Sequence, residues 1–133
     1  MHITTLRRAE LELAAGDARA ARASAEQALR WLRERGEHFF EADALRTRGD
    51  AERALGDMAS AEASYFAAID VARAQQAKLF ELRATNSLVR LWKAAGRVED
   101  GRTVLQPLVD QLSREVDCLD VREASELLAH LHA

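Results

Sequence analysis

The sequence holds little of what a disulfide-stapled, membrane-spanning, β-rich or nucleic-acid-binding protein needs. Cys118 is the single cysteine, so no disulfide can form within the chain. A lone thiol is more often a packing residue than a reactive one, and a cytoplasmic setting is expected. One proline and six glycines among 133 residues leave little material for hairpin turns or long loops. Aromatic residues make up only 5%. No apolar run approaches the roughly 20 residues of a membrane span, and the opening stretch, MHITTLRRAE, lacks the apolar core of a secretory signal. The formal charge of −3 gives no global basic field to favour nucleic acid. No glycine-rich phosphate loop is present.

What is abundant is alanine, leucine, arginine and glutamate. Hydrophobic residues reach 48%, much of it alanine, and charged residues 31%. That is the profile of an all-α protein, and the length suits one domain with a real core.

A period runs through the chain. Gly16, Gly56 and Gly96 stand 40 residues apart, twice over. Their surroundings match: LAAGDARAARASAEQAL at 13–29 pairs with RALGDMASAEASYFAAI at 53–69, sharing Asp17/Asp57, Ala21/Ala61, Ser24/Ser64 and Ala28/Ala68. The third copy, KAAGRVEDGRTVLQPLV at 93–109, keeps Ala94 and Gly96 and places Gly101 at a small-residue position. Such a period signals stacked units, each unable to bury its apolar faces alone. Each unit reads as two helices. The glycine supplies the left-handed turn that stops the first, and Asp17 or Asp57 then favours the start of the second. Small residues (Ala9, Ala21 and Ala28, then Gly49, Ala61 and Ala68) mark close helix approach. The expected helices lie near 2–15, 17–35, 37–55, 57–76, 77–95, 97–115 and 119–132. Pro107 should kink the sixth, and Asp120 is the expected N-cap of the seventh, with Glu123 three residues on.

This pattern resembles the tetratricopeptide repeat (TPR). The matching residues are the small ones above, Leu45, Tyr65, the helix-ending glycines, and Trp92 at a large-residue site. The resemblance implies an α-solenoid of three helical hairpins, near 2–36, 37–76 and 77–116, forming a single domain with a capping helix at 119–132. The usual period is about 34 residues, so helices here should be longer by about a turn each. The first repeat departs most, because Thr5, Arg8 and Glu12 sit where bulky residues are usual. A narrower likeness covers 38–132: HFFEADALRTRGD, AKLFELRATNSLVRLW and LDVREASELLAHL resemble the C-terminal tail of bacterial signalling ATPases, which often follow an adenylate cyclase or DNA-binding domain. That likeness implies a regulatory interaction module, and not ATPase or cyclase activity in this chain.

In a curved stack, the first helix of each pair lines the inner surface. The inward positions should be Asp43, Arg46, Asp50 and Arg53 in the second repeat, and Arg83, Asn86, Arg90 and Lys93 in the third. Five cations against two carboxylates leave +3 in the groove of a −3 chain. Such a groove suits an acidic peptide or terminal carboxylate, which arginine grips with two parallel bonds. The competing reading is a solvated face whose charges pair along their own helices. On the first helix Ile3, Leu6 and Leu13 have nothing before them in the chain to cover them, which suggests a dimer or repeat-stacking face.

The remaining residue types carry little. His130 and His132 are two apart and diverge on a helix; His2 and His38 have no ligand partner at a metal-binding spacing, so no metal or other cofactor is expected. No serine, cysteine or histidine has a recognisable activating partner, so no enzyme is expected. Trp31 and Trp92, at helical spacing among Leu and Ala, read as core. The leading expectation is a non-catalytic scaffold that binds a protein or peptide, with no nucleic acid or membrane partner. The alternatives are a small-effector sensor and a homo-oligomerisation module.

Overall fold

The computed structural model describes residues 2–132, except for the side chains of His2, Ile3 and His132. It is all-helical, with no strand among the described residues. The helices are α1 (His2–Ala14), α2 (Ala18–Glu34), α3 (Glu41–Ala54), α4 (Met58–Ala74), α5 (Lys78–Ala94), α6 (Val98–Glu115) and α7 (Leu119–His132).

The 40-residue period has a direct structural counterpart. Gly16, Gly56 and Gly96 each follow one of the odd-numbered helices α1, α3 and α5, with φ of +85°, +85° and +80°. Each glycine donates to the carbonyl three residues back, and the next residue donates five back: Gly56 to Arg53 at 3.0 Å and Asp57 to Glu52 at 2.9 Å, for example. These paired bonds satisfy carbonyls that a helix end leaves open. The turns after α2 and α4 use the same geometry, with Gly36 at φ +65° and Gln76 at +56°. Asp17 and Asp57 accept from the backbone N–H of Ala20 and Ser60, so both cap the helices they precede.

Two boundaries differ from the expected ones. Helix α3 starts at Glu41, not near 37. Phe39 and Phe40 precede it and stack edge-on at 4.8 Å, and Phe39 also meets Phe80 at 5.6 Å; this aromatic corner occupies residues that would otherwise begin the helix. Asp120 does not cap α7. It lies inside the first turn, and its carboxylate turns outward to Arg83. Helix α6 runs through Pro107. Pro107 is on the exposed side, so water can satisfy the carbonyl that loses its donor.

Each helix packs on the next in the chain. In addition α1 meets α3, α3 meets α5 and α5 meets α7, while the backbones of the even-numbered helices stay further apart from one another. The odd-numbered helices thus form one layer packed side by side, and the even-numbered ones a second, more widely spaced layer. Small residues set the separations. Ala9, Ala21, Ala61 and Ala68 are fully buried. A Cβ added at Gly49 would lie 2.6 Å from the ring of Tyr65, so α3 and α4 approach there as closely as a bare backbone permits.

Two apolar clusters make the core. The first joins α1 to α5 through Leu6, Leu29, Leu45, Tyr65, Leu88 and Trp92. The second joins α5, α6 and α7 through Leu82, Val89, Leu105, Leu112 and Leu128. Each buried leucine contributes about 2 kcal/mol of transfer free energy. Leu6, expected on an open face, is 6% exposed and belongs to the first cluster. Leu13 is half-buried, and the side chain of Ile3 lies outside the described residues.

Arg8 and Glu12, two of the polar residues that set the first repeat apart, belong to a motif that recurs in the second. Arg8 donates to Ser24 at 3.3 Å, and Ser24 donates to Glu12 at 2.6 Å. Forty residues on, Arg48 donates to Ser64 at 3.1 Å and Ser64 to Glu52 at 2.5 Å. In the third repeat the same positions hold Leu88, Val104 and Trp92. A buried carboxylate needs such partners to be tolerated, and Glu52, 3% exposed, gains a further one in Arg22 at 3.4 Å.

Candidate functional site

The odd layer borders an open groove of about 540 Å³, with walls from α1 (Glu10, Leu13), α3 (Arg46, Asp50), α5 (Arg83) and the start of α7 (Asp120). Of the expected inward residues of α3 and α5, Arg46, Asp50 and Arg83 line this groove, while Arg90 lines a separate hollow with Glu123 and His130; those in the groove arrive already paired. Arg46 donates to Asp43 at 3.2 Å and to Asp50 at 3.0 Å. The second oxygen of Asp50 accepts from the Tyr65 hydroxyl at 2.5 Å. Arg83 reaches Asp43 at 3.1 Å on one side and Asp120 at 3.0 Å on the other, and so ties α3, α5 and α7 together. Burial works against the charge of Arg83, yet its bonds to Asp120 and the charge of Asp43 outweigh that and hold its pKa above the usual guanidinium value.

Asn86 is 2% exposed and donates to the Asp120 carbonyl at 3.2 Å, so its amide braces α7 against α5; its Oδ1 is buried without a partner. Arg90 meets Glu123 at 3.5 Å, both side chains 42% exposed, an arrangement that water screens to little energy. Arg53 and Lys93 make no hydrogen bond or ion pair among the described residues.

The charge of the groove therefore differs from the +3 expected of α3 and α5 alone. Helix α1 adds Glu10, and α7 adds Asp120 and Glu123. Among the residues that line the groove itself, three carboxylates (Glu10, Asp50 and Asp120) accompany two cations (Arg46 and Arg83). The cationic character survives only at one end, in the last turns of α3 and α5, where Arg53 and Lys93 stand.

A second depression lies beyond that end. It measures about 500 Å³ and runs between the start of α4 and the end of α5, lined by Met58, Glu62, Leu91, Trp92, Ala95 and Arg97, with Arg53 on its edge. Trp92 is 5% exposed, a core residue as expected, but one side of it forms the wall. Its Nε1 donates to Glu62 at 2.9 Å, and Arg97 stacks on its ring at 4.5 Å while bonding the same carboxylate at 3.1 Å. A smaller hollow of about 370 Å³, lined by Leu13, Asp50, Arg53, Ala54 and Met58, links this depression to the main groove. The sequence reading missed it. The signal available was a break in the repeat: Met58 stands where the other two hairpins have Ala18 and Val98.

Among the described residues no three His, Cys, Asp or Glu side chains gather as metal ligands would. His38 bonds Glu41 at 3.1 Å on the surface. The Ser64–Glu52 pair has the form of an activated hydroxyl, but Arg48 donates to the same oxygen and Ser64 is 2% exposed. Its duplicate at Ser24 and Glu12 marks it as a packing motif of the repeat. No helix is long and apolar enough to cross a membrane. No family model matches the chain, and no curated protein or solved structure is significantly similar to it.

Proposed function

We propose that this chain is a non-catalytic protein-interaction module, a TPR-like α-solenoid of three helical hairpins and a closing helix that takes a partner segment along its concave side. The observation that carries this reading is the open groove along the odd-numbered helices, built from residues in 40-residue register. Crowding the odd layer and spreading the even one is how stacked hairpins curve, and the inner face of such a curve is where an extended or helical segment finds continuous contact. The repeated Arg–Ser–Glu motif supports the assignment of stacked units, because it recurs at the same place in successive hairpins. The cytoplasmic, regulatory setting suggested by the likeness to signalling-ATPase tails belongs to the same proposal.

Selection of a displayed random-peptide library against the purified chain tests the reading. Peptides binding with Kd near 1 µM, about −8 kcal/mol, and shifting backbone amide resonances mainly on α1, α3 and α5 are the expected result. A folded chain that enriches no peptide, or whose resonances shift only on α2, α4 and α6, would overturn it.

A further inference from the structure

A second surface suited to a ligand, the trough between α4 and α5, adjoins the end of the groove. There Arg53 of α3 has no ion-pair partner among the described residues, and the repeat departs from its own pattern. Met58 is 50% exposed and belongs to neither core cluster. Its counterparts in the neighbouring hairpins are Ala18 and Val98, and Val98 packs against the second cluster. With Leu91 and Trp92 beside it, Met58 forms a continuous apolar floor, a feature of docking surfaces.

Beside this apolar floor the charge is one-sided. Glu62 is occupied by Trp92 and Arg97, and Arg97 is held further by Asp100 at 2.9 Å. Arg53 lines the trough with no ion-pair partner among the described residues. Lys93 stands 40 residues on in the repeat but does not line the trough, so Arg53 is the trough's one unpaired cation among the described residues.

We propose that the trough between α4 and α5 receives an acidic, amphipathic segment of a partner protein. A bulky apolar side chain rests on Met58, Leu91 and Trp92, and a neighbouring Asp or Glu reaches Arg53. The inference rests on the interaction-module reading and assigns the partner's chemistry and its point of contact. An unpaired guanidinium beside an apolar floor favours a carboxylate, which it can hold through two bonds. A basic segment would meet the Arg53 guanidinium at close range, and Glu62, the one carboxylate among the described residues that line the trough, is already held by Trp92 and Arg97.

The test uses the whole chain and a displayed random library of about twelve-residue peptides. Enriched peptides are synthesised and titrated by calorimetry, and by Trp92 fluorescence in a Trp31→Phe background. The expected peptides carry an aromatic or aliphatic residue within a few positions of an Asp or Glu. Their Kd rises at least tenfold with Met58→Glu and with Arg53→Glu, less than threefold with Arg90→Glu, and the Trp92 emission moves on binding. Both key positions are exposed or half-exposed, and unchanged helical circular dichroism confirms that the variants fold. Basic or neutral enriched peptides overturn the proposal. So does acidic-peptide binding that ignores Met58→Glu and Arg53→Glu, in which case Arg53 serves only its helix end and the interaction module itself stands. Concentration-dependent self-association abolished by Met58→Glu would place a second copy in the trough and likewise overturn it. If no peptide is enriched at all, the module reading falls as well.

Discussion

Tyr65 shows how one residue joins packing to charge. Its ring fills the space left by Gly49, and its hydroxyl donates to Asp50 at 2.5 Å on the groove side. Burial, then the charge of Asp50, raises the phenol well above its usual value near 10. The folded state therefore keeps this proton where the unfolded chain releases it. The stability contributed is complete below about pH 10 and declines as pH climbs past that value. Tyr65→Phe should cost about 1–2 kcal/mol at neutral pH, the worth of a hydrogen bond to a charged acceptor. It should also flatten the alkaline fall in stability, measured by urea unfolding from about pH 8 to about pH 11. An unaltered alkaline slope would mean that other groups govern it. The aromatic site itself was readable from the repeat; its partner Asp50 was not, because on sequence grounds Asp50 already had Arg46 and Arg53 within helical reach.

Among the elements, the turns are the most regular part of the molecule and the part most legible in advance. A left-handed residue ends each of the first five helices, and four of the five are glycine. The exception is Gln76 at φ +56°, where a side chain meets the steric cost that glycine avoids. Gln76→Gly should accordingly raise stability by about 1 kcal/mol, visible as an increase in Tm. A neutral or lower Tm would show that contacts of the glutamine side chain outweigh the backbone term. The entry to α3 was less legible. Phe39 and Phe40 fit a helix as readily as a corner, and only Phe80, 40 residues away in sequence, draws them into one. Asp120 has the spacing of a capping box, yet the charge of Arg83 provides a better partner than a backbone amide.

For the whole molecule, α5 is the structural hinge between two cores. Leu88 and Trp92 face the cluster shared with α1–α4, while Leu82 and Val89 face the one shared with α6 and α7. Both faces of one helix are thus committed, which is why its apolar arc is wide and its solvent stripe narrow. Leu88→Ala should cost about 2–5 kcal/mol. Amide hydrogen exchange should be slowest in α5 and fastest in the end helices α1 and α7, which have neighbours on one side only. Exchange that is uniform along the chain would count against this arrangement of cores.

Taken alone, the sequence determined the helical class, the places where helices stop, and the small residues that let them approach. Those features are set by interactions within a few residues and by a period that repeats them. The tertiary structure decided the electrostatics of the groove and the existence of the trough. Arg83 and Asp43 are 40 residues apart and Arg83 and Asp120 are 37 apart; no local pattern announces such pairs, and a charge sum over two helices omits the carboxylates that a third and fourth bring. Coulomb attraction acts across space, so which cations stay free for a partner is fixed only when the layers meet.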